Sequence, residues 1–150
     1  MELWRISNYA DLSGEGGLRA AGRWHTRGKR IVYLADHPAS ALLEMLVHMD
    51  RDLIPSTYRL LRIRVSEAVD IQKVDVDRLA DDWRERSDMT RQIGDEWLDR
   101  SATALLQVPS VIVPLGWNFL LNPGHRDAAK IGIEEVVDAA LDSRLVAGSA

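Results

Sequence analysis

The chain has no cysteine, which excludes a disulfide framework, a thiolate nucleophile and a thiolate metal site, and fits a protein of the reducing cytoplasm. It has no basic excess either: 19 Lys and Arg stand against 23 Asp and Glu, for a formal net charge of -4. That balance argues against direct nucleic-acid binding as the main activity, because a phosphate-binding face usually carries surplus cations. No apolar run approaches the roughly 20 residues needed to span a bilayer, and Met1-Glu2-Leu3-Trp4-Arg5 lacks the basic-then-apolar layout of a signal peptide. No membrane association is expected. The histidines His25, His37, His48 and His125 show no metal-ligand spacing, so no metal is expected. There is no Walker loop and no Gly-x-Gly-x-x-Gly after a strand, and nothing like a Gly-x-Ser-x-Gly elbow surrounds Ser110.

What is present is enough for one core: 150 residues, 46% of them hydrophobic, read as a single domain over 1–150. Leu3 to Ile6 predicts a short strand, followed by a loop broken by Gly14, Gly16 and Gly17 that could close over a ligand. Ile31 to Ala35 predicts a buried strand. A helix to about Met49 follows, with Pro38 in its first turn and Asp36 or His37 as its cap. Thr57 to Val65 alternates like a strand with one solvated face, and Asp77 to Arg86 and Thr90 to Ser101 predict helices in which Trp83 and Trp97 pack. Leu105 to Pro114 predicts two strand pieces bent at Pro109-Ser110, and Trp117 to Leu121 another strand, ending in the turn Asn122-Pro123-Gly124. Lys130 to Leu141 fits a strand or a helix equally. Strands on both sides of a helical middle favour an α+β fold, with a mixed or antiparallel sheet and flanking helices.

The chemistry concentrates in one short unit. At about 100° per residue, Leu42, Met45, Leu46 and Met49 form one helix face, Ala41, Leu43 and Val47 fill the flanks, and a narrow polar stripe of Ser40, Glu44 and His48 remains. Such a helix implies burial nearly all round, so Glu44 either faces a thin solvated strip or lines a cleft. Tyr33 lies on the strand that feeds this helix, and Arg23, between Gly22 and Trp24, lies on the approach to that strand. By itself Arg23 reads as a surface cation and Arg5 as a rim charge, yet an arginine in a short apolar strand also suits an anion clamp. Ser110 reads first as a bend residue. Asn118 reads as a strand-end residue, in a position where an asparagine could hold a ribose or an amide.

Trp4-Arg5-Ile6, Gly22-Arg23-Trp24, Tyr33 before Ala41-Leu42-Leu43-Glu44, Val47-His48, Gly94-Asp95-Glu96-Trp97, Val108-Pro109-Ser110 and Asn118 through His125 occur in an order that covers nearly the whole chain. This pattern resembles the RES-domain toxins of bacterial type II toxin–antitoxin systems, whose fold is related to ADP-ribosyltransferases. Where that family often has Gly-Gly-Arg-Trp-Asn, this chain has Ala21-Gly22-Arg23-Trp24-His25. The resemblance implies a pocket that binds NAD+ as substrate, with no prosthetic group, and breaks its nicotinamide–ribose bond by hydrolysis or phosphorolysis, or transfers ADP-ribose to a protein. It implies catalytic work for Glu44, Arg23 and Tyr33, and substrate binding by Arg5, Arg23, Tyr33 and Ser110, with Asn118 added from its place at the strand mouth. It also implies a cognate Xre-type helix-turn-helix antitoxin with which the chain assembles. Two competing readings are a metal-independent ribonuclease using His25 or His48 with Glu44, and a non-catalytic binding module.

Overall fold

The computed structural model describes residues 1–147 as an α+β fold around one seven-stranded mixed sheet. In chain order the main elements are β1 (Glu2–Ile6), α1 (Gly16–Arg19), β2 (Val32–Ala35), α2 (Pro38–His48), β3 (Thr57–Val65) and β4 (Ile71–Lys73). They continue with α3 (Ser87–Arg100), β5 (Leu105–Pro109), β6 (Trp117–Leu121) and β7 (Ile131–Ala140). The strand order is β4-β5-β6-β2-β1-β3-β7, antiparallel except for the parallel pair β4 and β5.

Alternation across the pleat gives the sheet an apolar surface on each face. One face packs Leu3, Val32, Leu34, Leu61, Ile63 and Leu105. The other holds Leu106, Val108 and Leu120 against Trp24, Trp83 and Trp97, so both predicted core tryptophans are buried. No helix among the described residues is long and apolar enough to cross a membrane.

One irregularity makes room for a site. β1 stays paired with β3 along its whole length, but its ladder with β2 is reduced to the single pair Trp4↔Ala35. Beyond that pair, Arg5 and Ile6 part from Leu34 and Tyr33, and all four border a cleft.

Several expectations are corrected. Asp77 to Arg86 is not a helix but two 3-10 turns, Val76–Arg78 and Trp83–Glu85. The backbone closes only i→i−3 bonds here, Arg78 to Asp75, Leu79 to Val76, Glu85 to Asp82 and Arg86 to Trp83, while Trp83 is buried in the core. The second strand piece after Pro109 is a turn, because the Ser110 hydroxyl takes the amides of Ile112 and Val113 that a ladder would have used. The glycine loop closes into the short α1. β4 was unforeseen: its three residues are exposed and carry no alternation. The ambiguous tail is an edge strand, fixed by its register along all of β3. Nor is α2 buried nearly all round: Ala41 is its buried residue, whereas Leu43 and Val47 are 41% and 59% exposed.

Candidate active site

Gly22, Arg23, Trp24 and His25 form a tight turn closed by the Gly22 amide donating to the His25 carbonyl at 3.1 Å. Tyr33 supports it from below. Its hydroxyl accepts from the Trp24 amide at 3.1 Å and bonds His25 Nδ1 at 2.8 Å, while His25 Nε2 meets the Ala20 carbonyl at 3.0 Å. Gly22 is required by space: a Cβ there would lie 2.4 Å from the Tyr33 hydroxyl.

Helix α3 clasps the same turn from the other side. Thr90 Oγ1 donates to the Arg23 carbonyl at 2.6 Å, Arg91 Nε to the Gly22 carbonyl at 2.8 Å, and Asp95 accepts from the Thr26 amide and hydroxyl at 3.0 and 2.7 Å. Gly94 lets the helix come this close, since a Cβ would sit 1.6 Å from the Trp24 carbonyl oxygen. Sequence reading missed this clasp. Its one signal was a glycine in mid-helix, which usually has a packing reason.

Glu44 reaches the cleft from α2. The helix starts where predicted, with His37 Nδ1 accepting from the Ala39 amide at 3.1 Å and Pro38 in the first turn. Glu44 is half-buried, and its Oε1 accepts from Asn118 Nδ2 at 3.0 Å. His48 Nε2 lies 3.4 Å from Oε2 on the exposed side. Asn118 is placed by β6, where it pairs with Ala35 on one side and Val108 on the other.

These elements enclose a cleft of about 540 Å³. Arg5, Arg23, Tyr33, Glu44 and Asn118 all line it, with Trp4, Met45 and Ile112 among its apolar walls. Ser110 does not. It is buried beside the cleft, and two turn amides, at 3.1 and 3.0 Å, use its oxygen. A shallower depression of about 340 Å³ at Ser101, Ala102, His125 and Arg126 contains none of the candidate residues. Among the described residues no cluster of His, Asp and Glu has the form of a metal site.

The two arginines are free of carboxylate partners within 4.0 Å among the described residues, unlike Arg62 and Arg64, which are paired with glutamates. Arg23 uses Nη1 on the Arg84 carbonyl at 2.8 Å and the Ser87 hydroxyl at 3.3 Å, and Arg5 makes one long bond to the Asp11 carbonyl. Burial pushes the Arg5 pKa down, opposed by Asp11, but a guanidinium stays charged. Burial also pushes the Tyr33 phenol up, so its hydroxyl keeps its proton. Desolvation holds His25 below its ordinary value, partly offset by bonds to the Ala20 and Gly17 backbone and by Asp95. Glu44 is the acidic residue among those lining the cleft.

Comparison with known proteins places the chain in a family. The model of a family described as the RES domain matches residues 2–142. A protein named Toxin Res from Pseudomonas putida is 46% identical over 149 residues, covering 97% of this chain and 99% of the relative. The Prs ADP-ribosylating toxin of a Sphingobium species is 35% identical, covering 96% of each. Among solved structures, the M. tuberculosis MbcT-MbcA toxin-antitoxin complex contains a chain of the same fold, with a TM-score of 0.74 at 20% identity over 97% of this chain and 86% of that one. A family match along almost all of the chain, and a relative matched nearly end to end, identify this protein as a member of the RES-domain toxin family.

Proposed function

We propose that this chain is the toxin of a toxin–antitoxin pair and that it consumes NAD+, breaking the bond between nicotinamide and ribose. The observation that carries the reading is Glu44, a carboxylate held by Asn118 inside a cleft bordered by two arginines without acidic partners. As nicotinamide leaves, the ribose gains oxocarbenium character, and a carboxylate beside it stabilises that charge. Arg23 and Arg5 supply planar donor forks for the two phosphates of the dinucleotide. Tyr33, whose hydroxyl is committed to the turn, offers its ring for stacking. Ser110 holds the turn whose Val111 and Ile112 line the cleft and takes no part in the reaction itself.

The test incubates the purified chain with NAD+ and follows free nicotinamide, beside Glu44→Gln. Release by the wild type with a loss on the order of 10²- to 10³-fold in the variant is expected. Equal background release from both, with and without phosphate or cell extract, would sink the reading. Mass spectrometry of the products then separates ADP-ribose, its phosphorylated form and a modified protein.

Transfer of ADP-ribose to a protein is the second reading, favoured by the name of the Sphingobium relative. Of the two histidines a ribonuclease could use, His25 is buried with both ring nitrogens engaged, which leaves His48 beside Glu44, and the absence of a basic excess counts against that reading. The complex found for the structural neighbour supports a protein antitoxin as partner, and its Xre-type helix-turn-helix class is inferred from the family resemblance alone.

A further inference from the structure

His25 is only 2% exposed, yet it belongs to none of the roles assigned above. Its surroundings determine its tautomer. The Ala20 carbonyl can only accept, so the Nε2 that faces it at 3.0 Å must carry the proton. Nδ1 is then an acceptor, and the group opposite it at 2.8 Å, the Tyr33 hydroxyl, must donate. With its proton committed to His25, the hydroxyl turns a lone pair to the Trp24 amide at 3.1 Å. The direction of one hydrogen bond thus propagates from Ala20 through His25 and Tyr33 to the backbone next to Arg23.

We propose that His25 is a positioning residue that orients the Tyr33 hydroxyl and so holds the Gly22-Arg23-Trp24 turn with Arg23 at the cleft. The effect on turnover rests on the NAD+-cleaving reading above, whereas the effect on the turn does not. The geometry separates the two ring nitrogens. An asparagine carries Oδ1 at the bond distance of Nδ1 and can still accept from Tyr33; a glutamine carries Nε2 at the bond distance of the histidine Nε2 and keeps only the Ala20 contact.

The experiment compares wild type, His25→Asn, His25→Gln and Tyr33→Phe as the purified full chain. It has three readouts: the His25 tautomer by nitrogen-detected NMR in the wild type, hydrogen exchange of the Trp24 amide, and steady-state cleavage of NAD+. An Nε2–H tautomer is expected. The Trp24 amide should remain protected in His25→Asn and exchange faster in His25→Gln and Tyr33→Phe. For turnover, His25→Gln should raise KM for NAD+ on the order of 10- to 100-fold with a smaller change in kcat, as a displaced binding group does, and His25→Asn should recover most of that loss. Adding His25→Gln to Tyr33→Phe should cost nothing further, because both act through one hydroxyl. An Nδ1–H tautomer, or equal Trp24 protection in the asparagine and glutamine variants, overturns the proposal. A wild type that leaves NAD+ intact overturns the functional reading alone, and the tautomer and exchange data still decide the role of His25.

Discussion

Asn118 on β6 donates from Nδ2 to Glu44 Oε1 at 3.0 Å, linking two residues 74 positions apart across the mouth of one cleft. The bond joins the central strand of one half of the sheet to the helix that covers the gap between β1 and β2. It leaves Oε2 facing the exposed imidazole of His48 at 3.4 Å.

Removing that amide should free Glu44 to rotate toward solvent. Asn118→Ala is expected to reduce nicotinamide release about tenfold without a large change in stability, because the lost bond is a side-chain contact to a half-exposed carboxylate. Asn118→Asp should be worse, since it places a second carboxylate within hydrogen-bonding distance of the first. Steady-state kinetics of the two variants beside wild type check the order.

Gly94 should tolerate no side chain. A Cβ there would fall 1.6 Å from the Trp24 carbonyl oxygen, which is backbone and cannot swing aside. Gly94→Ala is expected to cost about 1–3 kcal/mol or more. Gly132, with nothing within 4 Å of its Cβ position, should accept alanine with little change. Urea denaturation of both proteins makes the comparison.

Ser110→Ala should act on stability before chemistry. The hydroxyl oxygen accepts two turn amides, so its loss should destabilise the chain by about 1–3 kcal/mol by leaving those amides unpaired. KM and kcat measured well below the melting temperature should stay near wild type. A large rate loss at unchanged stability would give Ser110 a direct role on the ligand.

His25 and Tyr33 bound the pH range of full stability. The folded His25 pKa lies below 6.5, so the unfolded chain takes up a proton first as pH falls. Its contribution is complete above that value and is lost as pH drops toward the folded pKa. The folded Tyr33 pKa lies above 10.0, so the unfolded phenol ionises first and stability falls as pH rises past about 10. The titratable or charged groups acting on His25 are Tyr33 from β2 and Asp95 and Arg91 from α3. Melting temperature followed from pH 8 to 5 should therefore fall less steeply in His25→Asn than in wild type.

Much of the site was legible before folding was considered. Pro38 and the cap at His37 marked the start of α2, and the stripe at Ser40, Glu44 and His48 singled out Glu44, because helix geometry is local and has a fixed period. Tyr33 and Arg23 followed from their distance along the chain to that helix. The roll of the Tyr33 hydroxyl was not legible: it depends on where His25 and the Trp24 amide fold back, eight and nine residues earlier. Asp77 to Arg86 failed for a different reason. Its spacing suits a helix, but the packing of Leu79 and Trp83 against the core, a tertiary contact, goes with two short 3-10 turns instead.

The sequence alone determined the chemical inventory: no thiol, no metal spacing, one carboxylate on an apolar helix, arginines ahead of it, and a pattern ordered along the chain like that of the RES-domain toxins. Only the tertiary structure decided how that inventory is divided. It set Asn118 against Glu44, put Ser110 into a turn, and used α3 to clasp the segment carrying Arg23. The cause is the single-pair ladder between β1 and β2, which opens a cleft where Arg5 and Tyr33 meet from strands nearly 30 residues apart. Strand pairing is a non-local choice, and no local period encodes where a ladder stops.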